Sequence, residues 1–262
     1  MPTAAAKPAG RAAKAPKARM TLVETMAALE QAGSEQTRKT YRRHGAREPL
    51  FGVSFATLKA LLKRIGVDHE LALALWDTGN YDARNLAMKI VDPARMTPAQ
   101  LERWAADGST RICGGYVAAI ACEGGHGFEC AQRWLQSERV EMRAAGWSAV
   151  GALAMNDVTV ADTWFAERLG DLERTLHTAD NCQRDPMNQA LIAIGCRDAA
   201  LRAAASAAAL RIGKVQIDHG DTACKTPDAA VSITKAWEHS TAKGFDSPAA
   251  HERSREPMRL RC

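Results

Sequence analysis

The residues of this chain best suited to chemistry are cationic. Arg38, Lys39, Arg42, Arg43, His44 and Arg47 crowd one short segment, and Lys59, Lys63 and Arg64 follow on the next. Both segments, 35–44 and 54–65, repeat apolar residues at the helical period on one side, so as helices they turn a band of Arg and Lys outward. Such a band suits a polyanion, with a solvated helix face as the plainer account, and nucleic acid is the first partner to consider. Arg38, Lys39, Arg42, Arg43 and Lys63 are the expected phosphate contacts, positioning charges that read no bases.

Two other groupings invite metal chemistry. Cys122, His126 and Cys130 recur at four-residue intervals, but Gly124, Gly125 and Gly127 make the middle of that stretch a turn and no fourth ligand is evident. Asp218, His219, Asp221 and Cys224 precede Thr226-Pro227-Asp228, which reads as N-cap, first helical residue and first-turn acid. A polar loop with a structural role is the expectation there, His219 and Asp221 satisfying loop amides. No metal and no cofactor are expected. The seven cysteines, odd in number and scattered, read as reduced thiols of a bacterial cytoplasm, and Cys113, Cys122 and Cys196 as small hydrophobes.

These residues must be positioned by helices. Over residues 20–238 the pattern is a succession of short segments at the 3.6-residue period, with almost no alternating β-branched runs. Helices of about ten residues in pairs predict an all-α fold, a curved right-handed α-solenoid of helical repeats whose concave side is a natural groove for a long ligand. Two separate helices are expected over 159–169 and 171–178, and others begin at 186 and 227, each with a proline in its first turn. Six tryptophans, Trp76, Trp104, Trp134, Trp147, Trp164 and Trp237, fall at apolar-periodic positions and read as core.

The formal net charge of +5 is matched by the five cations of residues 1–19, which contain no acid, so the rest of the chain is balanced. That Ala-, Pro- and Lys-rich tail is expected to be disordered, and residues 239–262 to form a flexible C-terminal tail. No run approaches the roughly 18 apolar residues of a membrane span. A monomer in the cytoplasm, associated with the nucleoid, is the expectation.

Several stretches, in this order along the chain, resemble the AlkD-like DNA alkylation repair proteins, which are built from HEAT-like repeats. They are Gln36-Thr-Arg-Lys, Arg42-Arg-His-Gly, Phe51-Gly-Val-Ser-Phe-Ala-Thr-Leu-Lys, Leu71-Ala-Leu-Ala-Leu-Trp-Asp-Thr-Gly-Asn-Tyr-Asp-Ala-Arg, Glu141-Met-Arg-Ala-Ala-Gly-Trp and Gly213-Lys-Val-Gln-Ile-Asp-His-Gly-Asp. The resemblance implies duplex DNA as partner and excision of cationic N-alkylated purines. A carboxylate would stabilise the oxocarbenium-like sugar and aromatic faces the cationic base. It also implies that Arg143 faces the DNA. Trp147, four residues on and on the same helical face, is expected beside it.

The chain departs from the pattern where that chemistry would sit. Arg111 and Gly115 stand where the resemblance calls for Trp and Asp, and Ala193 where it calls for a second Trp; no carboxylate occurs between Asp107 and Glu123. Asp107 and Tyr116 are the only replacements at hand for the catalytic groups. The expected function is recognition of alkylated duplex DNA with catalysis in doubt. An active N-alkylpurine glycosylase with rearranged groups would need a carboxylate in the groove, and a protein-scaffolding solenoid would show the basic band broken up by Glu.

Overall fold

The computed structural model describes residues 19–107 and 111–261, with the backbone alone at 111–113. The tail expected over residues 1–19 lies almost wholly outside them. Among the described residues the regular secondary structure is helical, apart from one isolated bridge between Gly33 and Val53. In chain order the helices are α1 (Leu22–Gln31), α2 (Glu35–Arg43), α3 (Phe55–Ile65), α4 (His69–Asp77), α5 (Tyr81–Ile90), α6 (Pro98–Asp107), α7 (Arg111–Glu123) and α8 (Gly127–Leu135). They continue as α9 (Val140–Asn156), α10 (Asp162–Thr175), α11 (Asn181–Gly195), α12 (Ala199–Ile212), α13 (Ala229–Ala242), α14 (Pro248–Arg253) and α15 (Met258–Arg261).

Their starts follow from local chemistry. The side chains of Ser54, Asp68, Asn80 and Asp198 each accept an N–H of the first turn, and Thr21 forms a reciprocal capping box with Glu24. The exits of α3 and α12 fall on Gly66 and Gly213, whose φ of 75° and 69° suits glycine.

The helices form two rows. The inner row, α3, α5, α7, α9, α11 and α13, packs helix against next helix, while α4, α6, α8 and α12 back onto it and α10 onto α11 and α12. This is the expected solenoid of paired helices. Its core lies between the rows, where Trp76, Trp104, Trp134, Leu86, Ile120, Val150, Phe165 and Leu191 are fully or almost fully buried. Each such side chain contributes about 1.5–3 kcal/mol when fully removed from water. Trp76 and Trp104 stack with centroids 4.1 Å apart, as core aromatics do.

Three boundaries differ from the sequence-based expectation. A single helix, α10, replaces the pair expected at 159–169 and 171–178, because Phe165, Leu169 and Leu172 continue one buried stripe past Gly170. Helix α11 begins at Asn181 and carries Pro186 inside it, five residues after its start. Helix α13 begins at Ala229 with Asp228, not Thr226, as its cap.

The larger correction concerns the C-terminus. The segment expected to be a flexible tail from 239 is folded: α13 runs on to Ala242, and α14 and α15 pack back onto α9 and α5. Arg259 is buried there and anchored by hydrogen bonds to α5 and Glu123. The short helices escaped notice because α14 and α15, of six and four residues, are too brief to show a period.

Candidate functional site

The inner row encloses a groove of about 1740 Å³. Its floor is made by three successive inner helices and is lined by small residues: Gly114, Gly115 and Ala119 of α7, Ala144, Ser148, Gly151 and Ala152 of α9, and Ala190 and Ala193 of α11. Small side chains let another molecule's backbone come close to the helices. The helices themselves lie close, since a Cβ added at Gly151 would stand 3.6 Å from the Ala190 Cα. One wall lies at the N-terminal ends of the inner helices, with Arg139 the N-cap of α9 and His44 and Arg47 just ahead of Pro49, whose carbonyl accepts the first N–H of α5. The other lies at their C-terminal ends, with Glu252, Arg253, Arg255 and Arg261.

Gly115 and Ala193, which stand where the resemblance calls for Asp and Trp, both line this floor. A Cβ at Gly115 would meet nothing within 4 Å, so the place is open space. The side chain of Arg111 lies outside the described residues.

Asp107 lines the groove but is engaged from behind. Arg84 approaches it at 3.6 Å, and the Trp76 indole N–H donates to it at 3.4 Å. Tyr116 is buried, with the Lys89 ammonium 5.4 Å from its ring centroid, and it is not among the groove's lining residues. Carboxylates that sequence reasoning passed over do reach the groove: Glu141, Asp157 and Asp185, besides Glu123 and Glu252. Glu123 accepts from Arg259, and Glu252 from Arg261. Burial pushes the Asp157 carboxyl up, but hydrogen bonds from Thr159 and Val160 and the charge of Arg197 outweigh it and hold it below its ordinary value. Glu141 sits in the first turn of α9, where the helix dipole favours an acid, and is exposed.

Of the expected DNA contacts, Trp147 lines the groove while remaining buried. Arg143 is turned into a separate hollow of about 500 Å³ between α8, α9, α10 and α11, which Trp147 also borders. There Arg143 donates to the Ser137 and Glu138 carbonyls, both at 2.8 Å, and approaches Asp180 at 3.8 Å. Arg38, Lys39, Arg42, Arg43 and Lys63 are not among the groove's lining residues and belong to α2 and α3, at the N-terminal end of the stack.

Within that band Arg42 is paired with Glu35 and Glu48, and Arg38 with Glu35 while its Nε donates to the Phe51 carbonyl. Lys39, Arg43 and Lys63 are exposed. The Phe51-Gly-Val stretch itself is scaffolding. The buried Asp82 carboxylate accepts the backbone N–H groups of Phe51, Gly52 and Val53 at 2.6, 3.0 and 2.8 Å.

Among the described residues no cluster of three or more His, Cys, Asp or Glu could hold an ion. Burial pushes the Cys122 thiol well above its ordinary range and those of Cys130 and Cys196 up to about 11, so these are packed thiols and poor ligands at neutral pH. In the 218–228 loop the polar groups serve one another: His219 Nε2 lies 3.0 Å from Thr226 Oγ1, and Thr222 donates to the His219 carbonyl. Asn181 brackets Asp218 from α11 with two hydrogen bonds.

Residues 25–223 match the sequence model of a family described as DNA alkylation repair enzymes. Two uncharacterised proteins, Lmo0209 of Listeria monocytogenes and Lin0241 of Listeria innocua, are each 29% identical over 215 residues, covering 79% of this chain and 93% of theirs. A solved structure, described as a new family of proteins related to the HEAT-like repeat DNA glycosylases with affinity for branched DNA structures, matches with a TM-score of 0.78. That match has 28% identity and covers 87% of this chain and 98% of the other. No helix among the described residues is long and apolar enough to cross a membrane.

Proposed function

We propose, from the premise that this chain belongs to the DNA alkylation repair enzyme family, that it is a DNA-binding protein which holds duplex DNA in the inner groove and does not excise N-alkylpurines at an appreciable rate. The observation that carries this reading is the floor. Three helices present Gly and Ala to the ligand, and the position where the family resemblance places the catalytic carboxylate is Gly115, with open space in front of it. A developing oxocarbenium ion would find no carboxylate at that position of α7, whose groove carboxylate, Glu123 at its last residue, is bound by Arg259. Arg47 and Arg139 on the wall are positioning charges for phosphates, so binding is independent of sequence and weakens with salt. By analogy with the solved relative, described as having affinity for branched DNA structures, branched duplex is included among the forms this groove takes.

The test is a fluorescence anisotropy titration of the full chain against linear, three-way and four-way DNA at several salt concentrations, beside release of 7-methylguanine and 3-methyladenine from alkylated duplex. The expected result is salt-dependent binding that extends to branched DNA, with base release at background. Reversing charge in the pair Arg47→Glu and Arg139→Glu is expected to weaken binding about tenfold or more. Unchanged affinity in that variant would overturn the groove as the DNA site, and robust release of 3-methyladenine would overturn the non-catalytic reading. In that event Glu141→Gln is the next variant, because Glu141 is an exposed groove carboxylate. A scaffolding role is favoured by one observation, the Glu35 and Glu48 carboxylates interleaved in the basic band, and it predicts no DNA affinity at low salt.

A further inference from the structure

The C-terminal arm runs along one edge of the inner row and closes its helix ends in turn. Ser247 caps α14, and the Ala249 N–H donates to the Cys196 carbonyl just past the end of α11. Arg253 donates to the Met155 carbonyl in the last turn of α9 at 3.2 Å. Arg259, buried, donates to the Met88 and Lys89 carbonyls in the last turn of α5 at 3.0 and 2.9 Å and grips Glu123, the last residue of α7, through its Nε. Lys89 in turn donates to the Arg259 carbonyl at 2.8 Å, and Lys59 of α3 to the Arg261 carbonyl at 2.9 Å. Helix C-termini carry unsatisfied carbonyls and the negative end of the dipole, so arginines are the side chains that suit this course.

Residues 247–261 hold four arginines and two glutamates. Two of the arginines are committed inward: Arg259 is buried, and Arg261 is paired with Glu252 and mostly covered. Arg253 and Arg255 are exposed and line the groove, across from Arg47 and Arg139. The exposed Arg255 guanidinium lies 3.7 Å from the half-buried Glu252 carboxylate, a long contact with a group that Arg261 also holds, so a phosphate can compete for it.

We infer that the arm is a second phosphate-binding wall. Arg255, with Arg253 beside it, takes backbone phosphates on the side of the groove opposite Arg47 and Arg139, and the arm's anchorage on α5, α7 and α9 holds that wall at a set distance from the first. This rests on the proposed reading of the groove as the DNA site. Two walls that carry arginines, over a floor rich in small side chains, grip a duplex by its backbones and leave the bases unread.

The experiment is anisotropy against the same linear and branched DNA with Arg255→Glu in the full chain, compared with Arg255→Lys and with the Arg47→Glu, Arg139→Glu pair. Thermal denaturation of each variant checks that the fold is kept. Arg255→Glu is expected to weaken binding about tenfold and to reduce the slope of log affinity against log salt by about one, while Arg255→Lys stays near the parent. If Arg255→Glu binds like the parent while the Arg47 and Arg139 pair is weakened, the second wall is wrong and the groove stands. If none of the variants loses affinity, the second wall and the groove fail together. Loss in Arg255→Glu alone supports the arm and removes the opposite wall.

Discussion

Helices α5 and α9 hold equivalent places in the inner row, yet only α9 faces open space. Nine of the ten residues of α5 are buried, among them Asp82 and Lys89. Its first turn is covered by the 49–53 loop, where the Tyr81 N–H donates to the Pro49 carbonyl and Asp82 takes three loop amides. Its last turn is covered by the arm through Arg259. Helix α9 is gripped by α8 and α11 on its sides and turns Ala144, Ser148, Gly151 and Ala152 to the groove. The difference teaches that position in a solenoid does not make a helix a binding surface. The arm reaches the last turn of α9 as well as that of α5, so the difference lies in the 49–53 loop laid over the first turn of α5, and the groove floor is made by α7, α9 and α11.

The largest effect is expected at α5. Asp82→Ala strips the acceptor from three loop amides, of which those of Gly52 and Val53 are in buried surroundings, and should destabilise the fold by about 3–5 kcal/mol in urea denaturation. A loss below about 1 kcal/mol would mean that the loop finds water instead and that α5 is less enclosed than described. Next comes Arg259→Met, which removes the cap from α5 and leaves Glu123 without its cation. We expect a loss of about 2–3 kcal/mol and, in hydrogen exchange, faster opening of residues 245–261 than of α9.

Within α9 the same comparison can be made between faces. A Cβ at Gly146 would lie 2.8 Å from the Leu135 backbone nitrogen, so Gly146→Ala should cost about 1–3 kcal/mol by prying α8 from α9. Gly115→Asp on the groove floor adds a side chain into open space and should shift stability by less than about 0.5 kcal/mol. Its informative readout is chemical. If the missing carboxylate is what limits excision, this variant releases more 3-methyladenine than the parent, and no gain would place the limit elsewhere.

The smallest effect is a pH dependence at the far end of α9. The Asp157 carboxyl is held below its ordinary value, so its contribution to stability is present above roughly pH 4, the usual Asp range, and is lost as pH falls through the lowered folded value. Asp157→Asn should therefore flatten the acid limb of a melting-temperature profile slightly, by lowering the pH 6–8 plateau a little while leaving the lowest pH unchanged.

Much of the architecture could be read from residues near one another in the chain. Caps such as Ser54, exits such as Gly66 and a 3.6-residue stripe are local signals, and helix packing follows from burying the stripes. That Gly stands at 115 and Ala at 193 was legible too, because identity at a position is a property of the chain. Misreadings arose where a local signal had two uses: Pro186 suits a first turn yet is carried inside α11, and Thr226-Pro227 suits a cap that Asp228 provides.

What the sequence determined by itself was an all-helical repeat of the DNA alkylation repair family, with Gly at position 115 and Ala at 193. What only the tertiary structure decided was which charges meet which space. Arg143 turned to backbone carbonyls in a side hollow, Arg42 to Glu48, and Arg253 and Arg255 came from the far end of the chain to the groove's second wall. The reason is physical. Periodicity tells which side of a helix is buried, but a cation's role depends on the carbonyls and carboxylates brought within a few ångströms of it, and in the arm these come from residues up to 202 positions away, as the Lys59 to Arg261 bond shows.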